Sequence, residues 1–139
     1  MVQLIVGKKG KGKTKQLLDK VNSEVKNITG NIAYLDKNMA HMYDLNNKIR
    51  MIDVSQYLIE NADEFIGFVS GIISQDHDLQ QMYFDSFLKI ACLEDQDILK
   101  TVEKFQKISE AQGVDFVISI SLDADEIPEI LKENIIVAL

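Results

Sequence analysis

Cysteine, histidine, arginine and long apolar runs are all scarce in this sequence of 139 residues, and each scarcity removes a class of protein. One cysteine, Cys92, can neither close an internal disulfide nor anchor a zinc site by itself. A reducing compartment follows, with the cytoplasm as the expectation, and Cys92 reads as a small core hydrophobe among apolar neighbours. His41 and His77 stand apart from other metal ligands and read as surface or packing residues. The apolar run from Val114 to Leu122 contains Asp115 and falls well short of the roughly 20 residues that a membrane helix needs. Met1 to Gly7 is too short a start to hold a signal peptide. The net charge of −7 denies the protein the basic face that phosphate neutralisation along a nucleic acid requires, so no nucleic acid is expected as a partner. The aromatic residues Tyr57, Phe65, Phe68, Tyr83, Phe84, Phe87, Phe105 and Phe116 fall mostly on expected core faces and form no platform for stacking bases.

What is present is enough apolar content, 46% against 27% charged, for a single domain spanning residues 1–139. Val2 to Val6 is a short apolar run ending at a glycine, as a buried parallel strand does. Leu17, Leu18, Val21, Val25 and Ile28 then recur at helical spacing, and Gly30 stops the pattern. Asn31 to Asp36 and Ile49 to Val54 read as the next two strands, joined through a short helical link from Met39 to Leu45. The stripe of Leu58, Ala62, Phe65, Ile66, Val69, Ile72 and Ile73 predicts a helix from Tyr57 to Ser74. After a turn at Gln75 to Asp78, Leu79 to Asp85 reads as a strand, and Ile98, Leu99, Val102, Phe105 and Ile108 mark another helix. Asp115 to Ser121 is a clear strand, and a short helix over Glu126 to Lys132, with Pro128 near its start, leads to a last apolar run, Ile135 to Leu139. Strands alternating with helices predict a three-layer α/β/α architecture around a mainly parallel sheet.

Positive charge is concentrated in one place. Between Gly7 and Lys20 there are six lysines and one acid, Asp19, which leaves nine bases and twenty-one acids elsewhere. Lys15 and Lys20 read as part of a solvated helix face. The others belong to Gly7-Lys8-Lys9-Gly10-Lys11-Gly12-Lys13-Thr14, which matches GxxxxGK[ST] between an apolar strand and an amphipathic helix. Glycines let such a loop curl until successive N–H groups point inward at phosphate oxygens, and the helix N-terminus adds the positive end of its dipole. Lys13 would reach the β and γ phosphates, and Thr14 would ligate Mg²⁺ through its hydroxyl.

On these residues the first 28 positions resemble the P-loop NTPase superfamily, and the inner spacing GxxGxGKT is similar to that of the additional-strand ATPases. The stretch GKKGKGKT is also one glycine short of GKGGxGKT, the deviant loop of ATPases that partition chromosomes. That second likeness implies that Lys8 reaches the nucleotide of a partner subunit, although Lys9 replaces a glycine of the pattern and the chain is much shorter than those enzymes. What the resemblance implies is a minimal single-domain binder of ATP and Mg²⁺ built on the P-loop NTPase fold.

A metal–triphosphate site also needs a carboxylate at the C-terminal end of a neighbouring strand, and three strands end in aspartate: Asp36, Asp53 and Asp85. Asp85 is favoured, because Met82-Tyr83-Phe84-Asp85 follows a long crossover helix as a Walker B segment does. Lys13 and Asp85 are therefore the expected catalytic residues, and Thr14 and Asp85 the expected metal ligands. Asp36 is the second choice, for a polar role near the metal or an attacking water, and Asp53 reads as a cap. Additional-strand ATPases carry a glutamate directly after this aspartate, where this chain has Ser86. Glu94 and Asp95 are expected to be carried away from the loop by a helical stretch, and Ser119 and Ser121 either sense the γ phosphate or face solvent.

Nucleotide kinases clamp the transferred phosphoryl group with several arginines, so a chain whose one arginine is Arg50 does not fit them. Asn47-Lys48-Ile49-Arg50 fails the guanine-reading pattern NKxD at its last position, which leaves ATP. The expectation is slow or partner-stimulated ATPase activity. The competing expectations are a nucleotide-dependent switch or assembly module that hardly hydrolyses, with a protein partner or a second copy, and an anion-binding fold without nucleotide function.

Overall fold

The computed structural model describes residues 1–139. The apolar runs form six strands: β1 (Val2–Val6), β2 (Asn31–Asp36), β3 (Arg50–Asp53), β4 (Leu79–Phe84), β5 (Asp115–Ile120) and β6 (Ile135–Ala138). Four α-helices connect them: α1 (Lys13–Glu24), α2 (Ala62–Ser74), α3 (Phe87–Ile90) and α4 (Leu99–Gln112). The strands make one sheet in the order β3-β2-β4-β5-β1-β6, and every neighbouring pair is parallel. No helix is long and apolar enough to cross a membrane.

The sheet is covered on both faces, which gives the three-layer α/β/α architecture. Because successive side chains of a strand point to opposite faces, neighbouring residues such as Tyr34 and Leu35 enter different cores. On one face, Leu17 and Val21 of α1 pack on Ile5, Ile32, Tyr34, Tyr83 and Val117. On the other, α2 and α4 close a larger core around Phe65, Phe84, Phe87, Phe105 and Phe116. Ring centroids in that cluster are 5.4 to 6.3 Å apart, many of them edge to face, the arrangement that aromatic quadrupoles favour. Each buried phenylalanine contributes about 2 to 3 kcal/mol of hydrophobic stabilisation, so this face anchors the sheet.

Local chemistry adjusts the element bounds. Helix α2 begins at Ala62 and not at Tyr57, because the Asn61 side chain accepts the Glu64 N–H at 2.9 Å and sets the N-cap there. Tyr57 and Leu58 consequently lie outside the helix at 56% and 86% exposure, with Tyr57 resting against Phe68. Helix α1 stops at Glu24, and the chain turns tightly at Gly30, where a Cβ would come within 2.2 Å of the Asp78 carbonyl oxygen. The link between β2 and β3 is a single 3-10 turn at Met42–Asp44. The expected helix over Glu126 to Lys132 is two 3-10 segments, Ala124–Glu126 and Glu129–Asn134, and the last apolar run pairs with β1 as β6. Cys92 is half-buried, its thiol near the Ile59 carbonyl.

Two features of the topology position the site. Strand β5 is inserted between β1 and β4. The register pairs Val6 with Ile120, Ile118 with Phe84, and Phe84 with Leu35. One residue further along the last two pairs, Ser119, Asp85 and Asp36 therefore stand side by side at the C-terminal edge of the sheet, next to the loop that leaves β1. This edge is where ligands bind in open parallel sheets, beyond the carboxyl ends of the strands.

Candidate functional site

The loop from Gly7 to Gly12 leaves β1 with the Gly7 N–H donating to the Leu122 carbonyl at 2.8 Å, which ties it to the chain beyond β5. Gly10 (φ 83°) and Gly12 (φ 94°) take left-handed conformations that a side chain disfavours. Gly12 is the N-cap of α1, so the chain passes directly from the curled loop into the first helical turn, whose N–H groups lack intrahelical acceptors. The two glycines and the helix start thus expose several amide donors at one place.

Lys13 opens that helix. Its side chain folds back so that Nζ donates to the Lys8 carbonyl at 3.1 Å, leaving the residue only 8% exposed. Burial lowers the Lys13 pKa, and the nearby Asp85 charge partly opposes the shift. Thr14, one residue on, donates from Oγ1 to Asp85 Oδ1 at 3.2 Å.

Asp85 is 3% exposed and accepts from four donors. Oδ1 takes the Thr14 hydroxyl, the Ser119 hydroxyl at 3.1 Å and the Ser86 N–H at 2.9 Å, and Oδ2 takes the Tyr34 hydroxyl at 2.8 Å. Ser86 has a left-handed backbone (φ 54°), and its amide also meets Ser119 Oγ at 3.2 Å. The carboxylate is thereby locked in orientation from β2, β5, α1 and the Ser86 amide just beyond β4. Burial and the Asp85 charge push the Tyr34 hydroxyl pKa far up, so it remains a donor. Removing that donor in Tyr34→Phe should cost about 1 to 2 kcal/mol of stability by leaving a buried carboxylate oxygen unpaired. Chemical denaturation would show it, and an unchanged midpoint would mean that Asp85 is held without Tyr34.

Asp36 lies beside Asp85 at the end of β2, 2% exposed, and accepts the Lys37 N–H at 2.7 Å. Burial first, and the Asp85 charge second, push its pKa up to about 6. Asp53, at the end of the edge strand β3, accepts the Ser55 N–H and hydroxyl at 3.0 and 2.6 Å, which is the capping role its sequence position suggests.

A cleft of about 800 Å³ opens over these residues. Lys9, Gly10, Gly12, Lys13, Thr14, Asp85, Ser119 and Ser121 all line it, so most of the loop and both strand-end serines converge as a site. Lys8 and Lys11 do not line it. Lys8 instead pairs within its own chain, with Glu126 at 2.5 Å and Asp123 at 3.9 Å, and this ion pair raises the Lys8 pKa and lowers that of Glu126. Lys15 pairs with Asp19 and Lys20 with Glu24 on the outer face of α1.

The far wall of the cleft departs from expectation. Helix α3 is a single turn, and left-handed residues at Cys92 and Asp95 turn the chain back, so Glu94, Asp95 and Gln96 line the cleft instead of leaving it. Lys37 and Lys89 line it too. Neither these lysines nor Tyr34 carry a local sequence signal: Tyr34 and Lys37 join the site through the pairing of β2 with β4, and Lys89 through the single turn of α3.

No group of three or more His, Cys, Asp or Glu side chains forms a metal site. The donors at the head of α1, the Thr14 hydroxyl and the Asp85 carboxylate, are hard oxygens that suit Mg²⁺ when the remaining positions are filled by phosphate and water. No protein-family model matches the chain, and no curated protein matches it.

Proposed function

We propose that the protein is a P-loop NTPase that binds ATP with Mg²⁺ in this cleft and hydrolyses it slowly or on stimulation by a partner. The observation that carries the reading is the 3.2 Å hydrogen bond between Thr14 and Asp85. It joins the last residue of the GxxxxGK[ST] loop to the strand-end carboxylate expected opposite it, across 71 residues of sequence. The inserted strand β5 agrees with the likeness to additional-strand ATPases.

In this reading the loop amides between Gly7 and Thr14 hold the phosphate oxygens, with Lys9 and Lys11 raising the local positive potential. Lys13 releases the Lys8 carbonyl and turns its ammonium onto the β and γ phosphates. Thr14 and Asp85 would hold Mg²⁺, which when bound offsets phosphate charge and orients the terminal phosphoryl group. Asp36 is positioned for a polar role near the metal or a water. Lys8 becomes available to a nucleotide or a second subunit only when its pairing with Glu126 opens.

A second reading, a switch or assembly module that binds ATP and hardly turns it over, is favoured by Ser86. Its hydroxyl-bearing side chain replaces the water-orienting carboxylate, and its amide is committed to Asp85 and Ser119. Calorimetric titration with Mg²⁺-ATP tests the shared part of both readings, and absence of binding at millimolar nucleotide would leave an anion-binding fold. Steady-state phosphate release separates the two: brisk turnover by the isolated protein would eliminate the switch.

A further inference from the structure

The terminal phosphate of a bound nucleotide would project from the loop toward the ends of β5 and β4, and a protein with one arginine must meet its charge there with something else. Arg50 is not available. It sits at the start of β3 and is bonded to Asp76 at 3.0 Å, and Asp76 also holds Asn31 at the start of β2, so the guanidinium lies at the opposite end of the sheet.

Several lysines are committed as well. Lys8, Lys15, Lys20, Lys104 and Lys132 each have a carboxylate within 4.0 Å. Of the lysines that line the cleft, Lys9 and Lys13 belong to the loop and approach the phosphates from its side. Lys37 and Lys89 alone stand on the far wall, and no carboxylate pairs with either.

The two differ in how they are held. Lys89 is exposed on the one-turn helix α3, whereas Lys37 is half-buried and immediately follows β2. Its N–H is clamped by the Asp36 carboxylate at 2.7 Å, and Asp36 is itself inside the protein, so the backbone from which the Lys37 side chain springs is fixed. Strands β2 and β1 are three steps apart in the sheet, about 14 Å at the usual strand spacing. The terminal phosphate falls between them, over β5 and β4, and a lysine rooted at the end of β2 faces the loop across it.

We propose that Lys37 binds the terminal phosphate from the wall opposite Lys13, so that the cleft distinguishes a nucleoside triphosphate from a diphosphate. The inference rests on the nucleotide reading above and adds a residue that the loop motif does not contain. It gives the protein a cationic contact in cis where other phosphate-handling sites use an arginine, and places it beside the Asp36–Asp85 pair.

The test is parallel calorimetric titration of the folded protein with Mg²⁺-ATP and Mg²⁺-ADP, using wild type, Lys37→Ala, Lys37→Arg and Lys89→Ala. Thermal melting would confirm that each variant is folded. The wild type should prefer ATP. Lys37→Ala should lose about tenfold in ATP affinity, the scale of one charge-assisted hydrogen bond, with ADP affinity unchanged. Lys37→Arg should keep most of the preference, and Lys89→Ala all of it. An equal loss for both nucleotides in Lys37→Ala, no loss for either, or transfer of the effect to Lys89→Ala would overturn the proposal while leaving nucleotide binding intact. A wild type that binds neither nucleotide would overturn both.

Discussion

Lys13→Ala should leave the protein folded and reduce its affinity for Mg²⁺-ATP by about a hundredfold or more. The ammonium is held at 8% exposure by a single backbone carbonyl, that of Lys8, and no carboxylate lies within ion-pair distance of it. A buried charge with so little compensation weakens the fold that contains it, as the downward shift of its pKa records. On the proposed reading such a lysine is matched to a negative ligand more than to its own protein. Alanine removes the charge–phosphate contact and the burial cost together, so the melting temperature without nucleotide should stay level or rise while binding disappears. Titration calorimetry and thermal melting read the two quantities separately. Retention of wild-type affinity would sink the site, and a large fall in melting temperature would show that Lys13 serves the fold.

Asp36→Asn should stabilise the protein by about 3 kcal/mol at pH 8 and by less than about 1 kcal/mol at pH 4. Asp36 is 2% exposed, has no cation paired to it and lies beside a second buried carboxylate, so the folded state resists its ionisation. With its pKa pushed up to about 6 from an ordinary value of 3.8, the folded protein binds this proton more tightly than the unfolded chain. The associated stability is fully present below pH 3.8 and is lost as the pH rises through 6. Asparagine mimics the protonated side chain at every pH and can still accept the Lys37 N–H, so its advantage should grow across that window and level off above it. Urea denaturation at several pH values measures this directly. A constant difference between variant and wild type would mean that Asp36 does not titrate in the window, and a loss of stability at pH 8 would mean that its charge is needed.

The strand–loop–helix unit at the start of the chain was legible because every signal in it is local. Val2 to Val6 is a closed apolar run, Leu17 and Val21 lie on one helical face, and the glycines fall at fixed spacing between them. Asp85 was legible for a related reason, being the polar end of a strand flanked by helices. Tyr34 was not. As a sequence element it is one more aromatic residue in NIAYLD, and its hydroxyl finds Asp85 only through the register of β2 on β4. Leu58 misled in the opposite direction: it continues the apolar period of α2, yet the Asn61 side chain, accepting the Glu64 N–H, starts the helix beyond it. Glu94 and Asp95 were misplaced because left-handed conformations at Cys92 and Asp95 are not encoded by glycine, the residue that normally announces them.

Strand β1 has a place in the sheet whose consequence concerns synthesis more than chemistry. It precedes the other five strands in the sequence, yet both of its neighbours, β5 and β6, come from residues 115 to 138. Through most of translation the lysine-rich loop therefore leaves a strand that has nothing to pair with. Strands β2, β3 and β4 can assemble among themselves in the meantime, and the cleft closes only when the last quarter of the chain arrives. Closure across so much sequence is slow by its topology, and until then an unpaired apolar strand is exposed to whatever else is nearby. A growing chain has no complete cleft, so on the proposed reading the lysine-rich loop could take a nucleotide only as one of the last events of folding.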